Sequence, residues 1–228
     1  MAPGARCSLD YAALQRDRAR LQHDLVQLQA VGRSEFERWP PADRRAFLIN
    51  AYNAWTVELI LRAWPDLASI RDLGSLFVSP WKRRWFHLLG AERSLDEVEH
   101  TLLRGAPDHD DPRIHCAVNC ASIGCPALRP EACRGADLDA QLDDQTRRFL
   151  RDRTRNRLEG DTLYLPRIFD WYAEDFEQPF RGATTVPAFL ALYADAIGLD
   201  AAARARLAAG AIGIDYLPYD RVLNSRTP

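Results

Sequence analysis

Residues 43–64 read DRRAFLINAYNAWTVELILRAW. Apolar side chains fall on nearly every face of a 3.6-residue period, so the stretch is expected to be a helix buried on most sides. Pro40 and Pro41 open it, because proline fits the first turn, where its missing N–H would have no partner anyway. Pro65 ends it. Asn50 and Asn53 sit inside it, three apart and so on one face. A buried amide without partners costs about 1–3 kcal/mol. The pair therefore either fixes neighbouring loops through a polar network or borders a site.

On the N-terminal side, Leu14, Leu21, Leu25 and Leu28 recur at helical spacing, which predicts an amphipathic helix across residues 9–31. Its leucine stripe is about two heptads long, too short to favour a coiled coil. On the C-terminal side, residues 66–89 show no clean period and read as a long irregular connection. Trp81 and Trp85 within it either pack or roof a cleft. Ser94-Leu-Asp-Glu97 is a capping box opening a helix to Arg104. Taking 100° per residue, Leu95, Val98 and Leu102 define its buried face, which leaves Glu99 half-buried and His100 nearer solvent.

Arg113-Ile-His-Cys-Ala-Val-Asn-Cys120 reads as a short strand, with Ile114, Cys116 and Val118 on one face and His115, Ala117 and Asn119 on the other. Helices are expected over 138–158, 167–176, 186–197 (capped by Thr185, ended by Gly198) and from Asp200 to Gly210. Strands are expected over 162–166 and 211–217. No internal repeat and no Gly/Ser linker is present. The expectation is a helix-rich α+β single domain over 1–228 with a small β-sheet; ends 1–9 and 225–228 are expected to be flexible. By fold analogy alone, its layout is compatible with papain or transglutaminase.

The 228 residues carry 47% hydrophobic and 27% charged side chains, which excludes collagen-like, mucin-like and broadly disordered chains. A net charge of −2 with no run of like charges gives nucleic-acid binding no support. Lys82 is the sole lysine among 30 basic residues, which reads most simply as codon bias. No window approaches the ~20 apolar residues of a membrane span. Met1–Leu9 lacks the apolar stretch of a signal peptide, so the chain as written is expected to be cytoplasmic; a leader removed from a longer precursor would make it periplasmic. No Gly-rich phosphate loop follows a strand and no G-x-S-x-G occurs. Oligomeric state is unknown from the sequence.

Chemistry concentrates around His115, Asn119, Cys120 and Cys125, with Glu99, His100, Asn50 and Asn53 as supporting groups. The strings FLINAYNAWTVELIL, SLDEVEHTLLR, DPRIHCAVNCASIGCPALR, LDAQLDDQTRRFL and IFDWYAEDF also carry a resemblance. In this order they resemble the bacterial branch of the domain-of-unknown-function family DUF547, over about residues 10–224. The resemblance gives little function. Some eukaryotic members join the domain to a glutaredoxin-like module, which implies thiol chemistry by association only. Many bacterial relatives carry an export signal, which this chain lacks as written.

Four readings compete for the cysteines. In the first, the Cys120 thiolate attacks an acyl group, with His115 or His100 as base and Glu99 or Asn119 orienting it; this makes a hydrolase or acyl transferase. A continuous strand would place His115 and Cys120 on opposite faces, so this reading needs the strand to bend or end near Asn119. The second is a Cys120/Cys125 redox or structural disulfide, made easy by Gly124, although the spacing is not the C-x-x-C of thioredoxins. The third is zinc held by Cys120, Cys125 and His100 or His115, weakened by having a single short ligand pair. In the fourth, all are packed thiols, and Cys116 is the clearest case. Cys7 and Cys133 read as incidental. No cofactor is called for beyond that zinc alternative. Acyl transfer leads, and a non-catalytic module for a peptide or small ligand is its rival. Asp170 and Asp175 lie at no helical pairing distance, so residues 169–176 are expected to pack or to wall a site.

Overall fold

The computed structural model describes residues 8–74, 79–106 and 111–226. It is a helix-rich α+β chain with two small sheets. The chain divides into two compact units, each discontinuous in sequence. Among the described residues, one draws on 111–116 and 142–220; the other draws on 8–74, 79–106, 117–141 and 221–226.

The second unit is built on the helix Pro41–Leu61, with Pro41 at its first position and no side-chain cap from Pro40. Twelve of its residues are buried, among them Ile49, Ala51, Tyr52, Trp55 and Ile60. The N-terminal helix is broken at Asp17 into Tyr11–Arg16 and Arg18–Ala30. Asp10 caps the first piece by accepting from the Ala13 N–H, and Arg18 of the second reaches Glu58. A hairpin, Phe86–Leu88 with Ala91–Arg93, interrupts the expected irregular stretch. Its connection, Leu89-Gly90, has both φ angles positive, the turn that matches the right-handed twist of paired strands. Trp85 packs edge-on against Trp55 and lies under the Arg62 guanidinium.

The Ser94/Glu97 capping box forms in both directions. The helix it opens is wider than expected: Glu97–Leu103 is π-helical, with the Arg104 N–H donating to the Glu99 carbonyl five residues back. Glu99 is buried, while the His100 side chain is 37% exposed.

In the first unit, Thr162–Pro166 pairs antiparallel with Arg157–Glu159 and parallel with Gly213–Leu217. Arg157 and Leu158, expected to extend the preceding helix, belong to this sheet, and that helix stops at Leu150. The helices between the parallel strands, Ile168–Trp171, Ala173–Phe176, Val186–Leu192, Ala194–Ile197 and Ala201–Ala208, supply the long connection that parallel pairing requires. Thr185 and Asp200 cap their helices as expected, and Gly198 ends one in the left-handed region, at φ 78°. Phe169, Phe176, Phe189, Leu190, Leu163 and Leu165 form the core of this unit. No helix among the described residues is long and apolar enough to cross a membrane.

Candidate functional site

The expected strand over 113–120 is absent. Pro112–Cys116 is a tight 3-10 turn, followed by irregular backbone. The alternation of faces therefore does not apply: Ile114, His115 and Cys116 are all buried. Arg113 shapes the turn. Its backbone N–H and its Nε both donate to Asp111 Oδ1, at 3.0 and 2.9 Å, while its other guanidinium arm meets Oδ2 at 2.7 Å.

From Ala117 the chain lies in the second unit, and asparagines shape it. Asn53 on the buried helix uses both ends of its amide: Nδ2 donates to the Ala117 carbonyl at 2.9 Å, and Oδ1 accepts from the Asn119 N–H at 2.8 Å. Asn119, 3% exposed, donates from Nδ2 to the Pro126 carbonyl at 2.7 Å and accepts the Ala121 N–H at 2.8 Å. The chain is thereby closed into a short loop, and Cys120 and Cys125 across it form a disulfide, with Cα atoms 6.2 Å apart. The two cysteine residues differ. Cys120 is half-buried, whereas Cys125 is 3% exposed and accepts the Cys120 N–H on Sγ at 3.0 Å. Between them Ala121 is held at φ 60°, a left-handed conformation that costs a non-glycine residue about 1–2 kcal/mol.

Over this loop lies the reach of the family model, which matches residues 36–150, just over half of the chain, and is described as "Protein of unknown function, DUF547". The chain belongs to the DUF547 family. The matched stretch is shorter than the 10–224 span of the resemblance. No curated protein and no solved structure matches the chain.

Asn50 does for a second segment what Asn53 does for the first. It clamps the Cys133 backbone, donating to its carbonyl and accepting its N–H, each at 2.8 Å. Of the two readings of the asparagine pair, the loop-fixing one describes these bonds, and one of the loops fixed carries the disulfide. The His100 ring Nδ1 lies 2.9 Å from the Arg104 guanidinium, which donates to it and occupies the lone pair a base would use. Glu99 is buried at 7% exposure in the π-helix.

The first unit of this DUF547 chain holds the one remaining member of the expected constellation, His115. His115, 2% exposed, places Nε2 2.6 Å from Asp175 Oδ2 and stacks its ring on Tyr172 with centroids 3.9 Å apart. Asp175 was not among the expected site residues. It lies 60 positions away, and only its place in an aromatic-acidic string marks it in the sequence. Asp170 pairs instead with Arg167. Cys116 is fully enclosed, and burial pushes its thiol up to about 12, against weaker relief from Thr146; it is an inert packed sulfur, as expected. Burial likewise raises the Cys133 thiol. Cys7 lies outside the described residues. Among the described residues, no group of three or more His, Cys, Asp or Glu is arranged to hold a metal, and the two sulfurs of the zinc alternative are joined to each other.

Proposed function

We propose that the Cys120–Cys125 pair is the working centre of a thiol–disulfide protein acting on a thiol-bearing peptide or small molecule. The asymmetry of the pair carries the reading. The half-buried residue Cys120 is the one an incoming thiolate would attack, with Cys125 enclosed behind it. Attack forms a bond from the partner sulfur to Cys120 and breaks the bond to Cys125. The electron pair leaves on Cys125 Sγ, where the Cys120 N–H already points and where a charge-assisted hydrogen bond stabilises a thiolate. A second partner thiolate then displaces Cys120. The partner departs as a disulfide and the chain keeps two thiols. Asn53 and Asn119 act as positioning residues by fixing the backbone on which both sulfurs ride. A reducing cytoplasm would rest the pair as dithiol and an oxidising periplasm as disulfide.

The test is a titration in thiol redox buffers read by counting free thiols. The bond is expected to open and close between about −270 and −120 mV, the range of exchange proteins. Offered a peptide disulfide, Cys125→Ser is expected to keep one half as a mixed disulfide on Cys120 and release the other half as a thiol, and Cys120→Ser to keep none. A bond that stays closed below about −300 mV, as structural disulfides do, overturns the proposal.

Acyl transfer, the rival reading, applies to the reduced chain, since a sulfur in a disulfide carries no thiolate. An activated ester should then acylate Cys120 only after reduction; acylation that persists in Cys120→Ser removes this reading.

A further inference from the structure

We infer that the Cys120–Cys125 bond is a redox latch on segment 221–226: closing the bond docks the segment and opening it lets the segment go. This regulation rests on the thiol–disulfide reading above.

The docking runs through the disulfide loop itself. The Ile123 N–H donates to the Val222 carbonyl at 2.9 Å, and the Asn224 N–H donates to the Ala121 carbonyl at 3.0 Å. Between them Ser122 and Leu223 pair as an antiparallel bridge. The Asn224 side chain enters the same network: its Nδ2 lies 3.4 Å from Asn119 Oδ1, and its Oδ1 accepts the Tyr11 hydroxyl at 2.7 Å. From there the segment runs beside Leu9, whose N–H donates to the Asn224 carbonyl and whose carbonyl accepts from Arg226. Leu223 and Asn224 are buried at 5% and 1% exposure, and Leu223 sits in the cluster of Tyr11, Ile60, Leu61 and Ala121. The segment is thus held as a buried strap, with the disulfide loop along one side and residues 68–69 along another, through the Leu223 N–H to Ala68 and the Ser69 hydroxyl to the Arg221 carbonyl.

The loop side is the one held in an unfavourable shape. Ala121, whose carbonyl grips Asn224, lies at φ 60° inside the ring that the disulfide closes. Only an over-determined backbone keeps a non-glycine residue there. Opening the ring takes two electrons and two protons from a partner dithiol, which leaves as a disulfide. It frees Ala121 to return to the ordinary φ region, and that rotation turns its carbonyl and the following Ile123 N–H away from the segment. By linkage, a docked segment favours the closed bond by the same factor that the closed bond favours docking.

Hydrogen exchange of the full chain, oxidised and after reduction by dithiothreitol, tests this. The amides of Ile123, Leu223, Asn224 and Arg226 are expected to exchange at least tenfold faster together on reduction, while the Arg104 amide in the π-helix keeps its rate. A response confined to Ile123, or none, overturns the latch and leaves the redox titration free to support thiol exchange. A joint response with a bond that never opens in the titration range supports the latch and removes only the exchange function. Ala121→Gly accepts positive φ without cost. Its reduced form is expected to keep the slow exchange of all four amides, and opening as in the parent chain overturns the proposal.

Discussion

Asn53 is a single amide spent on two backbone groups, and its removal isolates what that is worth. Asn53→Ala leaves the Ala117 carbonyl and the Asn119 N–H without their bonds in a buried setting. Stability is expected to fall by about 2–4 kcal/mol, read from the urea midpoint, since each buried group left unsatisfied costs ~1–3 kcal/mol and water recovers part. A loss below ~0.5 kcal/mol would mean the loop holds its own shape. Glu58 offers a pH readout. Burial alone would raise its carboxyl, but hydrogen bonds from Arg18 and Arg62 outweigh that and hold it below the usual range. A depressed carboxylate stabilises the fold above its unfolded value of ~4.3 and loses that contribution as pH falls through its folded value. Glu58→Gln should therefore destabilise by about 1–3 kcal/mol at pH 7, and the gap to the parent chain should close below pH ~4. A gap constant across pH would show that the pair contributes packing rather than charge.

At the scale of elements, the π-helix Glu97–Leu103 depends on the residue that follows its last turn. A Cβ on Gly105 would stand 2.6 Å from the Thr101 carbonyl oxygen and 3.1 Å from that of His100, both backbone atoms unable to swing aside. Gly105→Ala is expected to cost about 1–3 kcal/mol, in the range of overpacked sites, with the loss seen in thermal unfolding; a neutral result would mean the turn relaxes to ordinary α geometry. Elements written in local chemistry were legible in the sequence. The Ser94/Glu97 box, the Thr185 and Asp200 caps, the proline-led helix and the strand Thr162–Pro166 each depend on residues within four positions of one another. What escaped was in part local: Ile114 and Val118 give residues 113–120 a strand-like composition, but the turn carries an Asp111–Arg113 grip two positions apart that composition does not announce. The rest is set by distance. The partner of His115 is Asp175, a contact no local pattern announces. Within the candidate site, Cys120 with Cys125 was readable from a short spacing, whereas the backbone bonds that hold their loop come from Asn53 and segment 221–226, more than 60 residues away in either direction.

For the whole molecule, connectivity argues about cooperativity. The chain passes repeatedly from one compact unit to the other, and the helix Leu138–Leu150 supplies residues to both. Unfolding either unit alone would have to fray that helix and free the short excursion 111–116 from its unit. We therefore expect one transition in denaturant, with helix content followed by far-UV dichroism and aromatic packing followed by near-UV dichroism falling on the same curve. Reduction should shift that curve without splitting it. A ring closed across five residues removes little chain entropy, worth about 2 kcal/mol in the loop-closure account. If the near-UV and far-UV curves separate, the units fold independently and 1–228 is two domains. If reduction lowers only one of two steps, the latch acts within its own unit alone.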